Sequence, residues 1–327
     1  ETSQNSHLSR MPPRKSPGRS RPSPSSVQES TTQSSNLAAA RVRGLVGVSI
    51  ALTLLYAVSC IRGMQPYVCL SLGLQLTVYL VHGLPFNSEK FYDLSGSATH
   101  FAVVAASLCS TTRMRTPRQL LTALFSCVWM TRLGSFLFLR ISHDGKDGRF
   151  DSMKLTWVGF LTPWLIQALW VVVIQLPILL MNEVDDALPT GPTDGAACAL
   201  WVFGFVVECA SDVQKFVFRL EPANRHRFIQ TGLWRYSRHP NYFGEILMWV
   251  AMASAVSAAG AASRDPILLW SWLSPALTAL LLLGVSGVPM VEASGAKKWG
   301  ADPTYRHYMA STSMLVPWWP ASPRQVK

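Results

Sequence analysis

The stretch Leu155–Met181, LTWVGFLTPWLIQALWVVVIQLPILLM, contains no Asp, Glu, Lys or Arg. It exceeds the roughly 20 residues that a helix needs to cross the hydrocarbon core of a bilayer. Apolar side chains recur on every side, so such a helix has no face to offer water. Pro163 and Pro177 lie inside the run and predict a tilted or kinked helix.

Runs of the same kind flank it on both sides. They lie at about 44–62, 66–85, 96–112, 119–139, 196–218, 243–262 and 267–292, and the run at 96–112 is short. The expectation is an all-α, polytopic membrane bundle with about 7–8 transmembrane helices. Composition agrees. The chain is 49% hydrophobic and 14% charged, against about 25% charged for a soluble domain.

The net charge of +11 would suggest nucleic acid in a soluble protein. No nucleic-acid motif accompanies it, and positive loops on one membrane face account for it instead. The six cysteines form no CxxC pair. They read as small apolar packing residues, with neither a disulfide framework nor a metal site.

Residues 1–40 are rich in Ser, Pro and Arg, with Glu1 and Glu29 as their acids, and show no apolar periodicity. They read as a disordered tail, either solvated or an organellar targeting segment. No apolar core precedes residue 44, which excludes a secretory signal peptide. Residues 41–319 then form the membrane domain and 320–327 a short tail.

Eight crossings put 86–95, 140–154, 219–242 and the segment from 293 on the side of the N-terminus. These carry most of the Lys and Arg, whereas 182–195 opposite holds Glu183, Asp185, Asp186 and Asp194 and no basic residue. This follows the positive-inside rule. Arg113, Arg115 and Arg118 contradict it, because they fall on the outer side.

Two segments place polar groups at or inside the membrane. In ECASDVQKFVFR, Glu208, Asp212, Lys215 and Arg219 recur at helical spacing and share one face. A charge at mid-bilayer costs about 2.5–3.5 kcal/mol. The stripe therefore forms either a ladder of mutual salt bridges or the wall of a polar cavity, and the depth of the acids favours the cavity. Arg132 in the run 119–139 is a partner for Glu208 or Asp212. His82 and His100 read as helix-to-helix hydrogen bonds.

The second segment is GLWRYSRHPNYFGE, Gly232–Glu245. Pro240 disfavours helix at His239, which makes Asn241 a candidate N-cap. Arg235 and Arg238 then gather outside a helix N-terminus and suit a phosphate or diphosphate. Tyr242 and Glu245 share a helical face. The competing reading is an interfacial belt of arginines and aromatics, including Trp234 and Tyr236. It leaves the compact His-Pro-Asn-Tyr and Glu245 unexplained.

This segment resembles the signature of the steroid 5-alpha-reductase-like membrane proteins of the DUF1295 type. The blocks EKFYDLSGSATH, RLGSFLFLRISHDGKDGRFD, ECASDVQKFVF and SGVPMVEASGAKKWGADPTYRHYMASTSMLVPW look like that family in the same order. The resemblance implies NADPH-dependent reduction of a carbon–carbon double bond beside a carbonyl, in a steroid or polyprenyl type of lipid. It implies that Glu208, Asp212, Arg219, Asn241, Tyr242 and Glu245 hold the nicotinamide cofactor. Its phosphates would meet Arg235, Arg238 and Lys298, with His239 in the same motif, and Arg132 and the Arg140–Arg149 loop would line the mouth. Tyr242, Glu245 and Trp129 are the catalytic candidates. Trp129 stands where the steroid reductases carry a donor tyrosine, and an indole donates one hydrogen bond but no proton at neutral pH.

A similar Arg-His-Pro-x-Tyr-x-Gly arrangement occurs in isoprenylcysteine and phospholipid methyltransferases. This implies S-adenosylmethionine as the alternative cofactor. A non-catalytic lipid-binding or scaffold subunit is the third reading. The family default is the endoplasmic reticulum membrane, while the basic tail suits a mitochondrial or plastid membrane.

Overall fold

The computed structural model describes residues 24–110, 114–144, 147–183 and 190–321. Arg113, Asp185 and Asp186 lie outside them. So do residues 1–23 of the predicted tail, most of its counterpart at 320–327, and the Arg140 side chain.

The described residues contain helices and no strands. In chain order these are α1 (Pro24–Ser59), α2 (Gln65–Phe86), α3 (Tyr92–Leu108), α4 (Pro117–Asp144), α5 (Trp157–Asn182), α6 (Pro192–Leu220), α7 (Pro240–Ser263), α8 (Pro266–Trp299) and α9 (Pro303–Ser311). Seven of them, all but α3 and α9, are long and apolar enough to span a membrane. The short run at 96–112 becomes α3, which begins at Tyr92 and ends at Leu108. Residues 24–40 were expected to be disordered but continue α1 outward. A helix already nucleated in the span extends at little further cost.

The fold is organised around α5. It is buried along most of its length, and α1, α2, α3, α4, α7 and α8 pack around it. It runs unbroken through both prolines. Its few polar side chains bond to neighbouring helices, because hydrocarbon offers them no other partner. Gln167 Nε2 donates to the Tyr92 carbonyl at 2.9 Å, and Asn182 Nδ2 donates to Ser107 Oγ at 2.8 Å. Gln175 links Ser126 (2.8 Å) to His100 Nδ1 (2.9 Å). His100 is thus the expected interhelical bond, whereas His82 packs against the rings of Phe86 and Phe91.

Small residues set the closest helix contacts, as is usual where apolar burial alone supplies no contrast with lipid. A Cβ on Gly44 of α1 would lie 2.6 Å from the Gly159 nitrogen of α5. One on Gly244 of α7 would lie 2.5 Å from the Gly204 carbonyl oxygen of α6.

Long-range contacts sort the chain ends into two groups. At one end of the bundle Arg62 pairs with Asp265, and Tyr67 donates to Glu183 at 3.0 Å. At the other end Lys154 pairs with Glu89, and His239 meets Glu292 at 3.0 Å. Of the anomalous outer arginines, Arg115 and Arg118 fall in the first group, where protein acceptors hold them. Arg115 donates to the Leu108 and Asn182 carbonyls at 2.9 and 2.7 Å, which lie at the C-terminal ends of α3 and α5. Arg118 grips Asp194 with two nitrogens. Asp194 compensates the charge of Arg118, and Arg115 is held at the negative ends of two helix dipoles.

α8 departs from the single helix expected over 267–292. A 3-10 turn Pro266–Trp272 leads into α-helix Leu273–Ala279 and then π-helix Leu280–Val285. The chain breaks at Ser286–Gly287 before α-helix Val288–Trp299. π segments often mark functional positions, and this one borders a cavity.

Candidate functional site

The turn ahead of α7 is built against α6. Gly232 has φ +63, and a Cβ there would lie 2.5 Å from Gln214 Oε1, so glycine is required on both counts. Gln214 Oε1 accepts the Leu233 N–H at 2.9 Å, and Trp234 Nε1 donates to the Ser211 carbonyl at 3.0 Å. Trp234 is 3% exposed. It is a packing residue of the site and not part of an interfacial belt. His239 is non-helical and Pro240 opens α7, as a first-turn proline should. Asn241 is not the N-cap. It sits one residue inside the helix, and its amide donates to Asp212 Oδ1 at 3.2 Å.

That bond belongs to a polar knot between α4, α6 and α7. Arg132 donates to both Glu208 and Asp212, one nitrogen to each. The stripe of charges is therefore no internal ladder, since its two acids face the neighbouring helix. Gly244 makes this possible. A Cβ at Gly244 would fall 2.8 Å from the Glu208 nitrogen, so the motif glycine lets α7 lie directly on the acid-bearing turn of α6. Glu208 is 4% exposed, and its Oε2 has no hydrogen-bond partner among the described residues. Asn241 Oδ1 is likewise buried and unpartnered. Buried acceptors are seldom left unpaired, so the knot presents two of them to an N–H donor. Glu245 lies within electrostatic reach of Arg132, Asp212 and Glu208.

Beside the knot, toward the basic end of the bundle, lies a cavity of about 380 Å³. Lys215, Arg219, Arg227, Arg238 and Lys298 line it, with Glu292 as the one acid, and Trp234, Tyr305 and Tyr308 form aromatic wall. Lys215 Nζ sits over the Trp234 ring at 4.5 Å, a cation–π contact that orients it. Arg238 approaches Glu292 at 3.3 Å, and its Nε is buried without a partner. Burial pushes the His239 imidazole below its ordinary range, although Glu292 opposes the shift. Its ring stacks on Tyr242, 5.1 Å between centroids and 3° from parallel. The Tyr242 hydroxyl makes no hydrogen bond to a described residue.

A second cavity of about 360 Å³ lies between α3, α4, α5, α7 and α8. Most of its exposed wall is apolar (Met130, Leu133, Leu137, Ile166, Trp170, Leu281, Leu282); Asp93, Arg149 and Glu245 bring charge, and Tyr92, Ser97, Gln167, Thr278 and Ser286 bring further polar groups. The break at Ser286 borders both cavities.

Of the residues predicted from sequence, Arg132, Glu208, Asp212 and Asn241 meet in the knot. Arg219, Arg238, His239 and Lys298 line the basic cavity. Tyr242 stacks on His239 of the basic cavity, and Glu245 lines the second cavity. Two stand apart. Arg235 is exposed and lines neither cavity. Trp129 is 1% exposed, packed edge-on against Trp249 at 4.9 Å and against His100 at 5.7 Å. Of the Arg140–Arg149 loop, Arg149 lines the second cavity.

Arg227, Glu292, Tyr305 and Tyr308 were missed, as were Asp93 and Gln167 of the second cavity. Glu292, Tyr305 and Tyr308 lie in the last quoted sequence block, but without helix neighbours nothing marked them as facing α6. Among the described residues no group of His, Cys, Asp and Glu is placed to hold a metal ion.

Fold and site together define a polytopic helical membrane protein with a basic cavity adjoining a largely apolar one. The chain belongs to the family described as "Protein of unknown function (DUF1295)", whose model matches residues 79–312. It is similar to an uncharacterized protein of Schizosaccharomyces pombe, 25% identical over 230 residues, which cover 61% of this chain and 63% of the relative. The chain thus spans less than two thirds of that relative's length. No solved structure matches it.

Proposed function

We propose that this protein is an NADPH-dependent reductase of a carbon–carbon double bond conjugated to a carbonyl in a membrane-soluble lipid. The observation that supports this reading is the pairing of the two cavities at Ser286, one basic and one largely apolar, with Glu245 facing the latter. Five cations around one acid suit a dinucleotide carrying several phosphates. The unpartnered Glu208 Oε2 and Asn241 Oδ1 suit the two N–H groups of a carboxamide. The residues present therefore fit the cofactor.

When bound, reduced nicotinamide supplies hydride to the β carbon of the conjugated system. Arg238, Lys298, Arg219 and Arg227 hold phosphate. Arg132 fixes Glu208 and Asp212, and Asn241 is set in turn by Asp212. The leucines of α4 and α8 exclude water around the lipid. Glu245 delivers the proton that completes the saturated product, so that one hydride and one proton are consumed for each double bond. We place the protein in the endoplasmic reticulum membrane with the basic cavity toward the cytosol.

A second reading, methyl transfer from S-adenosylmethionine to a lipid, draws on the three carboxylates around Arg132, which suit a cationic sulfonium. It leaves the basic cavity without a role, since that cofactor carries no phosphate. Purified protein in lipid nanodiscs is titrated with each cofactor by calorimetry and by tryptophan emission. Binding of NADPH with quenching of Trp234 and Trp299 is expected, weakened about tenfold or more (~1.4 kcal/mol) by Lys298→Ala. Binding of S-adenosylmethionine alone would overturn the reductase in favour of the transferase. Binding of neither at millimolar concentration would leave a non-catalytic lipid-binding subunit.

A further inference from the structure

The last described segment, 312–321, folds back as a strap over the turn that precedes α7. Arg238 N donates to the Ser313 carbonyl at 2.8 Å, and Trp318 N donates to the Tyr236 carbonyl at 2.9 Å. Ser237 Oγ donates to the Leu315 carbonyl at 2.7 Å. The Trp319 ring meets Tyr236 edge-on at 5.2 Å. These bonds hold the strap at the level where a membrane-crossing helix begins, since Pro240 is only a few residues away.

Despite this anchoring, Trp318 and Trp319 are each 70% exposed, and Val316 is 54% exposed. A flexible tail would shed such side chains into any available cover. Here the backbone is fixed and the rings are presented outward. Arg235, on the same turn, is exposed as well, and the sequence after the strap carries Arg324 and Lys327 with no acid.

We infer that the strap seats Trp318 and Trp319 in the headgroup layer of the bilayer at the basic end of the bundle. The partner is the lipid surface. An indole joins a broad apolar ring to a single N–H donor, and this combination settles at the membrane–water interface. The exposed Arg235 complements anionic headgroups. The strap is bonded to the turn directly before α7, one of the seven spans. It has a consequence for the site, because the strap carries the Arg238 backbone and so steadies one wall of the basic cavity. The inference does not depend on which cofactor that cavity takes.

The test uses the full chain reconstituted in phosphatidylcholine vesicles, with and without brominated phosphatidylcholine. Tryptophan emission of the wild type is compared with that of Trp318→Phe/Trp319→Phe, which keeps aromatic rings on the strap. The difference spectrum isolates the pair. It should be blue-shifted, quenched by the brominated lipid and shielded from iodide. Quenching by iodide without quenching by brominated lipid would put the strap in water and overturn the inference. Resistance to both would mean that protein covers it, which overturns it equally.

Discussion

Gly204 and Gly244 face each other where α6 meets α7, so closely that a Cβ on Gly244 would lie 2.5 Å from the Gly204 carbonyl oxygen. The contact lies directly above the acid-bearing turn of α6 and fixes the distance between Glu208 and the motif that follows Pro240. Gly244→Val must push the helices apart. Overpacking of this kind costs about 1–3 kcal/mol. A lowered melting temperature in detergent is expected, together with weakened cofactor binding. Gly73, whose Cβ would meet nothing within 4 Å, is the control, and Gly73→Ala should melt no lower than the wild type.

Arg132 serves two carboxylates, one of which is almost fully buried. Removing one partner of a buried ion pair leaves an uncompensated charge and costs about 3–5 kcal/mol. Arg132→Ala is therefore expected to destabilise more than Arg132→Ala combined with Glu208→Gln. Thermal melting of the two variants in the same detergent decides this. Equal destabilisation would mean that Glu208 is not held by Arg132.

Arg118 and Asp194 are 10% and 13% exposed and tie the start of α4 to the start of α6. Arg118→Ala should cost a similar ~3 kcal/mol, whereas Arg62→Ala, whose side chain is 67% exposed, should cost under about 1 kcal/mol. The contrast is read from midpoints of thermal unfolding in one detergent.

His239 makes stability depend on pH. Burial pushes its imidazole below the ordinary value of 6.5, with Lys215 and Arg238 adding to the shift and Glu292 opposing it. The unfolded chain therefore takes up a proton at a pH where the folded chain does not. The contribution is intact above about 6.5 and is lost as pH falls below it. His239→Gln should flatten that part of the melting-temperature profile.

Glu89 acts lower on the pH scale. Burial alone would raise its carboxyl, but Lys154 and the Asp147 N–H outweigh burial and hold it below its ordinary 4.5. Its stabilisation is present above that value and fades as pH falls through the folded range. Lys154→Met should move the Glu89 carboxyl upward, because burial then acts with less opposition. An acid melting profile of this variant that matches the wild type would exclude the pair as a source of acid sensitivity.

What the sequence determined by itself is the class of fold, a bundle of about 7–8 apolar spans, and the end of the bundle at which the polar motifs emerge. Those depend on hydrocarbon thickness and on charge counted along the chain, and both are local quantities. That Arg132 partners Glu208 or Asp212 was also legible, because an intramembrane arginine must find an acid and few are available; the structure gives it both. Only the tertiary structure decided the rest. Asn241 is a ligand of Asp212 because α7 packs on α6 through two glycines, and a capping preference cannot report a neighbour across a helix contact. Trp234 is buried because Ser211 and Tyr308 enclose it, although its sequence surroundings are those of an interfacial residue. Glu292, Tyr305 and Tyr308 join the basic cavity through the break at Ser286–Gly287, which redirects the last helical segment of α8. A cavity exists between helices, and its walls are chosen by crossings that no single stretch of chain encodes.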